Sequence, residues 1–497
     1  MVSYSASYLP RMQQNLTLLQ HYHENKENCM SFSMTKLSAA LLLTSSLVGC
    51  AAVVKTPYQA PAVQVPGSFQ YDKAKAKTAS VEQYSDHWWT LFGDAQLNQL
   101  VTNVLERNSD LAVAGITLKQ ARLQADLTAN KQGLRTSSSV STGHSFDLNS
   151  GDDSAKGLSM SAGVSYELDL FGKLARQTEA SKWEALATEQ DLQSTGQSLI
   201  ATTAKLYWQL GYLNERYATA QQSLATSQKL YQLVQTQYKA GAVSGLDLTQ
   251  AEQSVQSQKA SLSQIEQQLV ETRTAIAVLL HEPVQQLNIQ EPQRLPRTAL
   301  PAIGAGLPAD ILSRRPDLQA AELRLRKALA TKDATKASYY PSISLTSSLG
   351  SSSTSLTELL RNPALTLGAS LSLPFLQYND IKKDIAISNL DYEKAIIQYR
   401  QTLYQAFADV ENALSSRTEL DKQVALQERN VELAEKTERL TEVRYRYGAV
   451  ALKTLLDAQQ TTRTARLSLV ETKQSQYNAY VTLMQALGGS PVKELPQ

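Results

Sequence analysis

Residues 238–253 read YKAGAVSGLDLTQAEQ, and residues 445–460 read YRYGAVALKTLLDAQQ. The two phrases lie 207 positions apart, and that offset pairs Gly241 with Gly448, Ala242 with Ala449, Val243 with Val450, Leu248 with Leu455, Ala251 with Ala458 and Gln253 with Gln460. It also holds far from the phrase: Arg107 maps to Arg314, Asp110 to Asp317, Leu111 to Leu318, Leu118 to Leu325 and Ala121 to Ala328. A period this long means two homologous halves rather than a solenoid, whose repeats run roughly 20–50 residues. One architecture occurs twice, and the phrase marks something each half needs once.

Glycine and proline show what the phrase is. Proline is absent from 67 to 282 and from 375 to 490, while Pro283, Pro292, Pro296, Pro301 and Pro308 crowd the junction of the halves. Between Gly368 and Gly488 the only glycine is Gly448. A lone glycine among helix formers is expected where a helix ends in a left-handed residue, so the phrase is a turn between helices. After it, Leu248, Ala251, Val255, Gln258, Leu262, Ile265, Leu269, Thr272, Ile276 and Leu279 alternate three and four apart, which is a heptad seam. Before it, 173–240 and 380–447 each predict one helix of almost 70 residues, roughly 100 Å long. The expectation is long antiparallel helical hairpins.

Elsewhere the period falls to two. Leu158, Met160, Ala162, Val164, Tyr166, Leu168 and Leu170 alternate with small or polar residues, as do Leu365, Leu367, Ala369, Leu371, Leu373 and Phe375. Residues 136–147 and 342–350 are weaker partners, so each half contributes a hairpin with one apolar face. Alternation over about ten residues is the pattern of an outer-membrane strand. Four strands are fewer than the smallest such barrel, and an open edge cannot stand in lipid. Several chains must then share one barrel.

The 497 residues carry 48 Lys+Arg against 46 Asp+Glu, a balance giving no support to nucleic-acid binding. The apolar run LSAALLLTSSLV at 37–48 is too short for a bilayer span and follows Lys36, as a secretory signal does. It ends in Leu47-Val48-Gly49-Cys50, which resembles a bacterial lipobox and makes Cys50 the lipidated mature N-terminus. The resulting map has an extension or misassigned start at 1–33, a signal peptide at 34–49 and a lipidated leader at 50–92. The first repeat is 93–291, with strands near 136–147 and 158–170 and a tip turn at 241–247. A linker at 292–307 precedes the second repeat, 308–490, with strands near 342–350 and 364–375 and a tip turn at 448–454. A tail follows at 491–497.

From Trp88 to about Pro491 the chain resembles the TolC/OprM family of outer-membrane efflux channels, in its lipoprotein branch. The resemblance rests on WWTLFGDAQLNQLV (88–101), YELDLFGK (166–173), LPADILSRRPDLQAAELRLRKA (307–328), YYPSISLT (339–346) and LPFLQYNDIKK (373–383). It implies a mixed α and β fold, with a helical periplasmic tunnel and four transmembrane strands per chain in a shared trimeric barrel. It further implies a homotrimer in outer-membrane lipid, anchored by Cys50 and serving a periplasmic adaptor and an inner-membrane pump of the RND type. By position, Gly241, Ala242, Val243, Ser244 and Gly245, with Gly448, Ala449, Val450, Ala451 and Leu452, become adaptor-facing tips. Asp247 and Tyr445 match a latch between neighbouring hairpins, and Asp457 matches an aspartate ringing the closed pore. Lys453 departs from the family, where relatives often place an apolar residue, and its i, i+4 spacing from Asp457 allows a pair on one face.

No cofactor is implied. His21, His23, His87, His144 and His281 are scattered, and no H-E-x-x-H, P-loop or nucleophile-elbow pattern occurs, so an enzyme is not expected. A channel for type I protein secretion is the alternative within the family. A structural coiled-coil lipoprotein would account for the helices and Cys50 but not for the strands.

Overall fold

The computed structural model describes residues 54–63, 69–71, 87–146, 153–296, 300–301, 309–355, 358–359, 361 and 363–489. The expected signal peptide, Cys50 and the tail at 491–497 lie outside them. In chain order the elements are α1 (Ala95–Arg107), α2 (Ser109–Asn130), β1 (Arg135–Phe146), β2 (Asp153–Leu168), α3 (Lys173–Lys239), α4 (Gly245–Leu279), α5 (Pro316–Ala337), β3 (Ser342–Ser353), β4 (Ala364–Ser372), α6 (Tyr378–Arg446) and α7 (Leu452–Ala486). The two longest helices hold 67 and 69 residues without interruption. Two compact units form, one from residues up to 59, 125–181 and 327–392, the other from 60–124, 182–326 and 393 onward. Each unit takes matching segments from both repeats, so the duplication is not a pair of separate domains.

In the first unit the strands form one antiparallel sheet in the order β1-β2-β3-β4. Directly paired residues share a face, and the register gathers the large apolar side chains on one of them, with Thr136, Ser138, Thr142 and Ser347 among them. Val140 lies opposite Met160, Tyr166 opposite Leu345, and Leu349 opposite Leu365, all on one face. The other face carries Ser139 opposite Ser161, Gly163 opposite Ser348, and Thr346 opposite Gly368. The Ser139–Ser161 and Ser141–Ser159 hydroxyls bond at 2.9 and 2.7 Å. A Cβ at Gly163 would stand 3.1 Å from Ser137 Oγ, and one at Gly368 only 2.9 Å from Thr346 Oγ1. At these two positions a single methyl would already be crowded, so glycine fits there among small hydroxyl side chains.

The strand limits differ from the sequence reading. β2 begins five residues before the expected 158, and β4 stops at Ser372 instead of 375. Pro374, which has no N–H to donate, opens a 3-10 turn over Pro374–Leu376. β1 and β4 are the two edges of the sheet.

The second unit is helical, around one aromatic core. Phe92 packs against Trp208, Tyr477 and Tyr480 at ring distances of 5.2, 5.9 and 5.2 Å, and Trp208 and Tyr480 are fully buried. Asp94 caps α1 by accepting from the N–H groups of Gln96 and Leu97. Gly211 in α3 gives the connector room to cross, since a Cβ there would lie 3.2 Å from the Arg294 carbonyl.

The 207-residue offset survives as geometry, with altered chemistry. Asn108 Nδ2 donates to the Leu279 carbonyl at the end of α4. Its counterpart Arg315 donates to the Ala486 carbonyl at the end of α7, and also pairs with Asp317 and Asp409. Beyond those carbonyls Gly488 takes φ +76°, and its counterpart His281 takes φ +56° with a full side chain. Both turns close with the same backbone bonds, Glu282 to Ala277 and Gly489 to Met484.

The heptad seam of α4 points inward, with Ala251, Val255, Gln258, Ile265, Leu269, Thr272 and Ile276 buried. In α7 the positions 207 residues on, Leu455, Thr462, Ala465, Leu483 and Ala486, are buried too, and Gln474, Tyr477, Tyr480, Val481 and Met484 are buried beside them. The buried face widens there because Tyr477 and Tyr480 pack on Phe92 in the aromatic core.

The leader has no helix or strand at 55–63, as its prolines predict, but it is fastened. Thr56 donates its N–H and its hydroxyl to the two carboxylate oxygens of buried Asp333, at 2.7 and 2.8 Å. Arg400 donates to the Ala62 carbonyl, the amides of Gln70 and Tyr71 donate to Glu411, and Phe69 packs on Phe407.

Candidate docking and gating site

The repeated phrases form the turns α3–α4 and α6–α7, and the two turns have the same backbone. Gly241 and Gly448 adopt φ +72° and +70°. The Ala242 and Ala449 amides reach back five residues to Gln237 and Arg444 at 2.8 Å, and the glycine amides reach Tyr238 and Tyr445 at 2.9 Å. This pair of bonds is the Schellman ending, which satisfies the last carbonyls of a helix and requires a left-handed residue. A Cβ at either glycine would meet nothing within 4 Å, so the glycines serve the backbone angle and leave open space around the turn.

The following helix starts differ. Ser244 and Asp247 make a capping box: the Asp247 amide donates to Ser244 Oγ, and the Asp247 carboxylate accepts from the Ser244 amide and hydroxyl at 3.0 and 2.6 Å. Those bonds hold the Asp247 carboxyl below the usual carboxylate range. At the second turn Ala451 stands in the cap position and offers no side-chain bond.

Beneath the turns Leu230 and Val234 of α3, Ala251 of α4, and Leu452 and Leu455 of α7 pack into one small cluster, with Val243 and Tyr445 at its edge. This joins the two hairpins of one chain. Leu452, expected at the partner-facing surface, is buried instead, because Leu230 and Val234 of α3 and Ala251 of α4 cover it. Ala242, Ser244, Gly245, Ala449 and Ala451 are exposed, while Val243 and Val450 are half-buried.

The four expected gate and latch residues fall into two groups. Lys453 Nζ lies 2.8 and 2.9 Å from the two Asp457 oxygens, in an exposed i, i+4 pair. Such pairs contribute only tenths of a kcal/mol. Tyr445 donates its hydroxyl to Gln237 Oε1 at 3.5 Å rather than to Asp247. Burial, with the Asp247 charge nearby, raises the phenol above its ordinary pKa. Within one chain, then, Asp247 bonds Ser244 and Tyr445 bonds Gln237.

Between α4 and α7 runs a polar groove of about 270 Å³, lined by Gln253, Gln258, Lys453, Asp457, Gln460 and Arg463 among others. Gln237 and Arg463 were absent from the sequence reading. Nothing in the heptad pattern singles out Gln237, and Arg463, six residues beyond Asp457, lies about 120° around the helix from it.

The family model described as outer membrane efflux protein matches residues 100–281 and 307–489, two segments whose starts are themselves 207 apart. The chain is 30% identical over 470 residues to the pyoverdine export outer membrane protein OpmQ of Pseudomonas aeruginosa, covering 92% of this chain and 97% of that protein. It is 31% identical over 468 residues to the antibiotic efflux pump outer membrane protein ArpC of Pseudomonas putida, covering 92% and 96%. Its fold matches the solved outer-membrane channel OprN with a TM-score of 0.79 at 27% identity, over 88% of this chain and 99% of that one. A duplicated chain of paired long helices and one four-stranded sheet, matched over nearly its whole length by these proteins, belongs to the outer membrane efflux protein family and is an outer-membrane channel of an efflux system.

Proposed function

We propose that three copies of this chain form the exit duct of a tripartite pump. The sheet carries the reading. Leu367 is 74% exposed, Val140 70% and Leu365 66%, so an apolar face lies uncovered. The reverse face is mostly hydroxyl and glycine, with Arg135 and Glu167 at one end, and both edge strands lack a partner in the chain. Lipid on the apolar face and water on the polar one would suit most of the side chains, but lipid tolerates no open edge. Three copies joined β4 to β1 close twelve strands, an even number within the range of outer-membrane barrels. No helix among the described residues is apolar and long enough to cross a membrane.

On this reading the two turns of each chain, six per trimer, face the periplasm and receive a membrane-fusion adaptor. An inner-membrane pump of the RND type supplies the energy, and the chain itself conducts passively, without cofactor or catalysis. Tyr445 and Asp247 latch neighbouring hairpins in the closed state, and Asp457 with Lys453 lines the constriction. Cys50 is acylated and held in the outer membrane, with Ala51 in place of the acidic residue that favours inner-membrane retention. The test is purification from outer membranes of a deletion strain expressing this chain. Heat-modifiable trimers with single-channel conductance, and restored drug tolerance, are expected. A monomer without conductance would sink the reading. Continued palmitate labelling of Cys50→Ala would sink the lipid assignment alone.

A further inference from the structure

We propose that the groove between α4 and α7 gives the channel a preference for anions, and that Arg463 sets it. The inference rests on the reading above that Lys453 and Asp457, which border this groove, line the constriction. Lys453 and Asp457 face it, but at 2.8 Å they neutralise each other. The residues that α4 contributes, among them Gln253 and Gln258, are uncharged. Arg463 remains. Its Nε and Nη2 both donate to Gln460 Oε1, at 3.3 and 2.7 Å, and that acceptor is neutral. No ion pair among the described residues holds this half-buried guanidinium, and the Glu438 charge of α6 acts on it without a bond. A guanidinium stays ionised, and its planar fork matches carboxylate and phosphate. Each chain thus presents one positive charge that no carboxylate bonds, in a wall of amides and hydroxyls.

The surroundings reinforce that sign. Residues 438–466 hold six Lys and Arg against three Asp and Glu, while the equivalent 231–259 hold two of each. The second hairpin end is therefore net positive by three and the first is neutral. In a narrow, low-dielectric passage a fixed charge acts over roughly a Debye length, about 8 Å at physiological salt, and concentrates its counter-ions. The ligand class is solutes bearing carboxylate, phosphate or sulfonate. Asp457 then acts by holding Lys453, not by gathering cations.

The test is the reversal potential of the full-length trimer in planar bilayers under a KCl gradient. The wild type should lie on the chloride side of zero. Arg463→Gln should lose that preference, Arg463→Lys should keep it, and Asp457→Asn, which frees Lys453, should strengthen it. A cation-preferring wild type, or an unchanged reversal potential in Arg463→Gln, overturns the proposal. Gln253→Cys treated with an anionic methanethiosulfonate reports whether the groove lines the passage. A current that falls on treatment, beside an unmoved Arg463→Gln, sinks the anion preference alone. A current that does not respond sinks the placement of the groove, and the preference with it.

Discussion

Substitution at Gly448 separates the two things a turn can be for. The residue sits at φ +70°, and a Cβ there would find no atom within 4 Å. Gly448→Ala therefore costs only the left-handed backbone strain, about 1 kcal/mol, and Gly448→Asn costs less because Asn visits that region. Gly448→Arg costs about as much as Ala, since its longer side chain extends into open space. Each trimer would lose about 3 kcal/mol spread over three hairpin ends, too little to dissociate helices anchored in the aromatic core. Heat-dissociation of the trimer on gels should therefore place Arg and Ala together, a few degrees at most below wild type. Drug tolerance in a deletion strain should separate them, near normal for Ala and Asn and lost for Arg, because only a docked partner could meet the arginine. Two results would refute this. An Arg variant melting far below Ala means an intramolecular clash that the geometry denies, and full drug tolerance in the Arg variant means nothing docks there.

On the sheet, Gly368→Val would press on Thr346 Oγ1 from 2.9 Å, and overpacking of about 1–3 kcal/mol per chain should cut the yield of heat-stable trimer, whereas Leu367→Ile on the apolar face should not. Asp333→Ala leaves the Thr56 amide and hydroxyl without their acceptor, at about 1–3 kcal/mol; trypsin should then cut at Lys55 faster than in wild type. Tyr445→Phe with Asp247→Ala should raise resting conductance if they latch neighbouring hairpins, while Ser244→Ala, which removes only the cap at about 1 kcal/mol, should not. Burial alone would raise the pKa of Glu291, but its bidentate bond from Arg273 and the Asn214 amide bring it below the usual value. Its contribution is therefore complete above the unfolded value, near 4.3, and is lost as pH falls through the lower folded value. Glu291→Gln should flatten the acid limb of unfolding, as followed by circular dichroism.

What the sequence revealed and what it hid divide along a physical line. The turns were legible because a left-handed residue leaves glycine as its mark: Gly448 stands alone among helix formers, and Gly241 holds its place in the other copy. His281 occupies the same backbone region without that mark, and only its 207-residue counterpart Gly488 discloses it. The inward face of α4 could be read from its heptads, but the wider buried face late in α7 could not, because it depends on where Tyr477 and Tyr480 meet Phe92. Strand existence followed from alternation, while the early start of β2 follows from pairing with β1. At the candidate site, Leu452 looked exposed because it adjoins a turn, and Leu230, Val234 and Ala251 of the cluster that buries it lie more than 200 positions earlier.

The leader's fastenings have a kinetic consequence. Thr56 meets Asp333 across 277 residues, Ala62 meets Arg400 across 338, and Gln70 meets Glu411 across 341. Phe92, near the start of the described helices, stacks on Tyr477, close to their end. Contacts of such separation form late, since their loop entropy must be met before they return anything. A chain delivered N-terminus first thus carries an unfinished aromatic core and an unpaired leader until almost the last helix emerges. Its half-made forms hold exposed Trp and Phe side chains beside unpaired strands, which are the species prone to aggregate. Correct assembly of this chain is accordingly a race between completion of α7 and self-association, and slowing delivery of the last hundred residues should raise aggregation more than the same delay in the first hundred.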